Sequence, residues 1–251
     1  MTTVSDADSS ELTCDALFDG ELSIWQHRRG YRFGLDALLL ATDLPELEEG
    51  ATIVELGAGQ GAVALTMAHH NPSMEVIAVE RQRSLLELLR RNMAENNLEN
   101  VTIIDGDLRE FRDLIEPHSA DLVVANPPYY KKGSRRPSSN RQRAEAHHEL
   151  HGGLQDFVAA SAYVLDQRGW LQMIAPPVRL PDALSAAEAT DLRPESLRFY
   201  HSRQDESAYL VEARWRRGGA PDFTIRPPLF IYDQEKTYSP EVARRLGRER
   251  R

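Results

Sequence analysis

The run ATIVELGAGQGAVALTMAHH, residues 51–70, admits few structures. A short β-branched stretch enters three glycines at alternate positions, Gly57, Gly59 and Gly61, and leaves them as an apolar helical pattern that stops near Asn71-Pro72; the residue before a proline resists the helical conformation. That is strand, tight loop, helix. The alternation continues with EVIAVE as a strand, RSLLELLRRNMAENN as an amphipathic helix, VTIIDGD as a strand, and a short helix broken at Pro117. Then follow the strand ADLVVANPPYY, a helix from about Leu150 to Leu165, and the strand GWLQMIAPP. Strands alternating with helices of this length imply an α/β fold, a mostly parallel sheet with helices on both faces.

Both ends depart from the alternation. Upstream, GYRFGLDALLLATDL reads as a helix entered through Gly34, with Asp36 in its first turn, where a carboxylate suits the helix dipole. Downstream, SLRFYHSRQDESAYLVEARWRR reads as two strands around a polar turn, an antiparallel finish to the sheet. Residues 1–20 are expected to form a disordered acidic leader, since from Asp6 to Glu21 every charged side chain is acidic. Residues 21–251 are then a single domain, with a basic substrate loop at 131–145.

The chain carries a net charge of -9, which argues against coating nucleic acid by bulk electrostatics. The charge is uneven: Lys131, Lys132, Arg135, Arg136, Arg141 and Arg143 meet no acid between residues 131 and 143, and such a patch can grip phosphates. The start lacks a secretory pattern and no segment reaches the ~20 apolar residues of a bilayer span, so a cytoplasmic protein with no membrane partner is expected. The one cysteine, Cys14, lies among acids, a poor setting for a reactive thiol.

Glycines let the backbone approach a ligand closely, and the helix behind them offers free N–H groups. Glu55 lies two residues before Gly57, and Glu80 closes the next strand about twenty residues beyond the turn, where a carboxylate can accept ribose hydroxyls. A dinucleotide fingerprint spaces its last two glycines by two residues. Here each gap is one residue, which favours a cofactor with ribose but without phosphate.

The E-x-G-x-G-x-G pattern resembles motif I of class I S-adenosylmethionine methyltransferases, and DGDL resembles their adenine-contacting segment, with Asp107 as the contact. The resemblance implies a Rossmann-like, seven-stranded sheet with one antiparallel C-terminal strand. NPPY, Asn126 to Tyr129, resembles the signature of those members that methylate a planar, conjugated nitrogen. Such a nitrogen is a poor nucleophile because its lone pair is delocalised. The Asn126 side-chain carbonyl and the Pro127 backbone carbonyl can accept its two N–H groups and steer the lone pair. Pro127 and Pro128 fix the backbone, and Tyr129 would stack on the flat group.

GYRFGLDALLLA, NPPYY, AHHE at residues 146–149 and RPPLFIYDQEKTYSPEVARRL together resemble the bacterial tRNA(Val) adenine-N6 methyltransferase family, from about Gly30 to Leu246. That likeness implies a tRNA partner, places Phe33, Gly34 and Asp36 against the methionine end of the cofactor, along with Glu55, Gly57, Gly59, Gly61, Glu80, Asp107 and Asn126 around it, and Tyr129, Tyr130 and the six cations of the basic loop on substrate. His147 stands where that family would have an arginine. HHELH is not a zinc motif, because His148 occupies the place where Glu must follow the first histidine; no metal is expected. Arg244, Arg245, Arg248, Arg250 and Arg251 either touch RNA or form a frayed end. A protein-glutamine N5-methyltransferase shares the NPPY chemistry but usually carries a helical domain before motif I, and a guanine-N2 enzyme usually has a larger N-terminal half; only about fifty residues precede Glu55 here. A non-catalytic RNA-binding module on the same fold is the remaining alternative, although glycines and Asn are intact.

Overall fold

A computed structural model describes residues 11–30, 32–129, 153–219, 222–234 and 237–248. In chain order these form β1 (Leu12–Leu17), β2 (Leu22–His27), α1 (Leu35–Ala41), β3 (Thr52–Leu56), α2 (Ala62–His70), β4 (Glu75–Glu80), α3 (Arg83–Glu95), β5 (Val101–Asp105), α4 (Phe111–Leu114), β6 (Ala120–Ala125), α5 (Leu154–Val164), β7 (Leu165–Ala175), α6 (Leu180–Glu188), β8 (Leu192–His201), β9 (Ala208–Arg217), β10 (Thr224–Ile225), β11 (Leu229–Phe230) and α7 (Pro240–Arg245).

Seven strands run in the order β5-β4-β3-β6-β7-β9-β8. β3 to β7 pair in parallel, and β9 alone runs antiparallel to its neighbours β7 and β8. The expected sheet of seven strands with one antiparallel member is therefore present. The two-residue strands β10 and β11 add to the β8 edge, giving nine among the described residues.

Burial on both faces explains why the central strands are apolar without a break. In β6, Leu122 and Val124 enter one core with α1, α2 and α7, whereas Val123 and Ala125 enter the other with α4, α5 and α6. α3 turns a stripe of Leu85, Leu86, Leu88, Leu89 and Asn92 inward, a helical repeat of three and four residues.

The acidic leader is corrected by the structure. β1 and β2 pair in antiparallel register, from Leu12 with His27 to Leu17 with Leu22, across a turn in which Phe18, Asp19 and Gly20 have positive φ. Leu22, Ile24 and Gln26 are buried beneath it. The outer edge of β2 is closed by side chains rather than by another strand. Asn92 accepts the Trp25 N–H at 2.8 Å and donates to the Trp25 carbonyl at 3.0 Å, and Asn96 does the same for Ser23 at 2.8 Å each way. Asp15 is paired with Arg32 at 3.1 Å, so the acidic composition that argued for disorder is partly neutralised. Residues 11–20 are thus part of the folded body; residues 1–10 lie outside the described residues.

The C-terminal segment is bound to the same body through Asp43, just beyond α1. Its carboxylate receives Arg245 at 2.8 Å, Arg226 at 2.9 Å, Arg198 at 3.0 Å and Arg214 at 3.3 Å. Arg245 is thereby a structural residue rather than an RNA contact or a frayed end. Arg248 lies over the Tyr238 ring, 5.7 Å from its centroid, and Arg250 and Arg251 lie outside the described residues. No helix among the described residues is long and apolar enough to cross a membrane.

Candidate active site at the C-terminal edge of the sheet

Register brings the sequence motifs together. Leu56 at the end of β3 is the partner of Ala125 at the end of β6 and of Val79 in β4. The next residues are Gly57, Asn126 and Glu80, which therefore leave the sheet along one edge. Strand order reverses between β3 and β6, where the crevice of an open α/β sheet takes ligands. The glycine turn folds back on β4, with the Gly57 and Ala58 N–H groups both donating to the Val79 carbonyl at 2.9 Å. Gly61 has φ of +93°, and a Cβ there would lie 2.4 Å from Leu89 Cδ1. Only glycine lets α2 begin so close to α3.

The three acids differ in what they hold. Glu55 is buried, and its carboxylate accepts the Ala64 N–H at 2.7 Å, standing in for the side-chain cap that Gly61 cannot supply to α2. Burial pushes its pKa well up, and the neighbouring Glu80 adds to the effect. Glu55 thus holds the start of α2 beneath the glycine turn. Glu80 is 5% exposed and accepts N–H groups from Gly59 at 2.8 Å, Arg81 at 2.8 Å and Gln82 at 2.6 Å. Burial raises its pKa against those three amides. A carboxylate has about four acceptor positions, so one remains on the edge facing the glycine turn. Asp107 is held by the Arg109 guanidinium at 2.5 and 2.9 Å and faces Arg81 at 3.7 Å; the hydrogen bond from Arg109 keeps its carboxyl below the usual range. Any adenine contact by Asp107 competes with that pair.

At the NPPY turn Pro127 is buried and Asn126, Pro128 and Tyr129 are half-buried. Asn126 Nδ2 donates to Asp36 Oδ2 at 2.8 Å, and the Tyr129 hydroxyl donates to the same oxygen. Asn126 Oδ1 is buried and has no hydrogen-bond donor among the described residues. Buried acceptors are ordinarily satisfied, so this one marks a place for an external donor. Phe33 and Gly34 line a cleft of about 180 Å³ with Leu17, Phe18, Leu38 and Tyr238. Tyr130, Lys131, Lys132, Arg135, Arg136, Arg141 and Arg143, and with them His147, His148 and Glu149, lie outside the described residues. Among the described residues no group of three His, Cys, Asp or Glu could hold a metal.

Two residues of the site went unread in the sequence. Gln60, inside the glycine turn, is 1% exposed with both amide atoms unpartnered among the described residues; its place between Gly59 and Gly61 was the only signal. Tyr209 at the start of β9, although 39% exposed, is partly desolvated near the Asp36 carboxylate, and the two effects push its phenol up to about 12. Nothing in the local sequence marks it, because long-range pairing alone brings β9 to this edge.

Comparison with known proteins gives the family and the fold. The family model described as methyltransferase small domain matches residues 33–185. A tRNA1(Val) (adenine(37)-N6)-methyltransferase of Porphyromonas gingivalis is 28% identical over 223 residues, covering 85% of this chain and 86% of that protein. A release factor glutamine methyltransferase of Mycolicibacterium smegmatis is 35% identical over 128 residues, 51% of this chain and 44% of that one. A crystal structure from Agrobacterium tumefaciens, described as a predicted O-methyltransferase, superposes with a TM-score of 0.70 at 21% identity, covering 85% of this chain and 96% of the other.

Proposed function

The chain belongs to the methyltransferase small domain family, and from that premise we propose that it methylates the exocyclic N6 of an adenine in tRNA, beside the anticodon of tRNA(Val), in the cytoplasm. The observation that carries the reading is the buried Asn126 Oδ1 without a donor among the described residues. An amine N–H is the group it lacks.

S-adenosylmethionine would supply an electrophilic methyl group on a sulfonium sulfur. The residues present fit it: Glu80 keeps an acceptor position for a ribose hydroxyl beside the turn of Gly57, Gly59 and Gly61, and the buried Gln60 amide beside them has polar atoms to offer. Phe33 and Gly34, in their largely apolar cleft with Leu38 and Tyr238, complete the proposed cofactor side. Asn126 Oδ1 and the Pro127 carbonyl accept the two N–H groups of the target amine and turn its lone pair out of conjugation. Pro127 and Pro128 hold those acceptors in place before the substrate arrives, which shifts the cost of ordering from the reaction to the fold. Tyr129 stacks on the flipped base. No strong base is required, because the methylated nitrogen is cationic and releases a proton to water readily. The cations Lys131, Lys132, Arg135, Arg136, Arg141 and Arg143 with Tyr130 follow the turn directly in the chain and supply phosphate contacts.

Coverage favours RNA over protein as the acceptor. The tRNA enzyme of Porphyromonas gingivalis aligns over most of its length, and the glutamine enzyme over less than half. The test is incubation with methyl-labelled S-adenosylmethionine and separate tRNA, rRNA and protein pools, followed by nucleoside and amino-acid mass spectrometry. N6-methyladenosine in tRNA is expected. Label in N5-methylglutamine with none in tRNA would overturn the reading.

A further inference from the structure

We propose that Asp36 is a positioning residue for the methyl acceptor, selecting the one orientation of the Asn126 side-chain amide that presents Oδ1 to the amine and pinning the Tyr129 ring beside it. The inference rests on the amine-methylating reading of the site. It differs from the expectation drawn from the family, in which Asp36 lies against the methionine end of the cofactor.

The argument begins with the symmetry of a carboxamide. Its oxygen and nitrogen ends have nearly the same shape, so packing alone does not choose between them, and a half-turn would present two donors where the reaction needs an acceptor. An ionised carboxylate only accepts. With Asp36 Oδ2 2.8 Å from Asn126 Nδ2, the reverse orientation would press two acceptor oxygens together, and the nitrogen end is therefore fixed on Asp36. The oxygen end is left buried and unpartnered among the described residues, which is the condition in which it can take an N–H from outside. The Tyr129 hydroxyl donates to the same Oδ2, so one carboxylate oxygen sets both the acceptor and the stacking ring.

Gly34 makes room for this arrangement. Its φ of -114° is open to any residue, yet a Cβ at position 34 would lie 2.5 Å from Asp36 Oδ1. Glycine is required there by the carboxylate, which would otherwise have to move. The chain of dependence runs from Gly34 to Asp36 and from Asp36 to Asn126 and Tyr129.

The test compares wild type with Asp36→Ala, which removes the acceptor that holds both Asn126 Nδ2 and the Tyr129 hydroxyl. On tRNA, kcat should fall on the order of 100-fold, the scale of a reacting group held about 1 Å out of place, while the calorimetric Kd for S-adenosylmethionine stays within about twofold, since the cofactor is not what Asp36 positions. Gly34→Ala should lower kcat in the same direction with the charge retained. A second readout needs no turnover: in 15N-labelled, ligand-free protein the Asn126 side-chain NH2 signals, assigned by their loss in Asn126→Ser, should show one slowly exchanging bonded proton in wild type and none in Asp36→Ala. Unchanged amide signals with kcat within about threefold of wild type would overturn the proposal. So would equal losses in kcat and cofactor affinity, which would return Asp36 to the cofactor. If wild type leaves tRNA unmethylated, the proposed function falls, and the amide signals still decide the role of Asp36.

Discussion

Leu56 and Ala125 face each other in register on adjacent parallel strands, and each is the last residue of its strand. Gly57 and Asn126 therefore leave the sheet side by side, about 5 Å apart at the strand spacing, at the position where strand order reverses. The glycine turn and the amide that would bind the acceptor amine are neighbours by backbone pairing, and no loop has to move to unite them.

Removing that amide tests its role. Asn126→Ala should lower kcat on the order of 10²–10³-fold, as expected when one preorganised polar group facing a developing charge is lost. Cofactor Kd, measured by calorimetry, should stay nearly unchanged. A loss of cofactor binding instead would assign Asn126 a structural role.

Glu55 should betray its burial through pH. Its folded pKa is raised well above that of an unfolded glutamate, so the stability it contributes is present below the unfolded value near 4.3 and is lost as pH rises through the folded value. Glu55→Gln keeps an acceptor for the Ala64 N–H and cannot ionise. Urea unfolding from pH 4 upward should show wild-type stability falling with pH through this group, and a flatter profile in the variant.

Asp43 should have the opposite sign. Burial alone would raise its pKa, but Arg245, Arg226 and Arg214 overcome it and hold the carboxyl below the usual range. Its contribution is thus complete above the unfolded value near 3.9 and fades as pH falls through the lower folded value. Asp43→Asn leaves four arginines facing only Glu212 and Glu241, and should cost about 3–5 kcal/mol at neutral pH by chemical denaturation, the range for breaking a buried ion pair.

The N-terminal hairpin should depend on Asn92. Its amide serves Trp25 and also donates to the Gln60 carbonyl at 2.9 Å, joining β2 to the glycine turn. Asn92→Ala should destabilise by at least ~1–3 kcal/mol, the cost of leaving a buried backbone group unpaired. Hydrogen exchange at residues 12–17 and 22–27 should accelerate, with β6 and β7 unaffected.

The parallel sheet, the antiparallel β9 and the convergence of Gly57, Glu80 and Asn126 were legible because hydrophobic period and glycine placement are local signals. β1 was not, since acidic composition hid a strand that pairs with β2, whose other edge is closed by Asn92 and Asn96 from about seventy residues away. The partner of Asp36 was not legible: its bond to Asn126 spans ninety residues and depends on how α1 packs against the end of β6. The cap that Glu55 places on α2 was not legible, because a buried carboxylate capping a helix and one facing a cofactor carry the same sequence signature.

The most direct test is a crystal structure with a tRNA anticodon stem-loop and an unreactive cofactor analogue such as sinefungin. The adenine N6 is predicted within hydrogen-bond distance, about 3 Å, of both Asn126 Oδ1 and the Pro127 carbonyl oxygen, with the base against Tyr129. A base bound elsewhere while Asn126 Oδ1 accepts only from the protein would contradict the account.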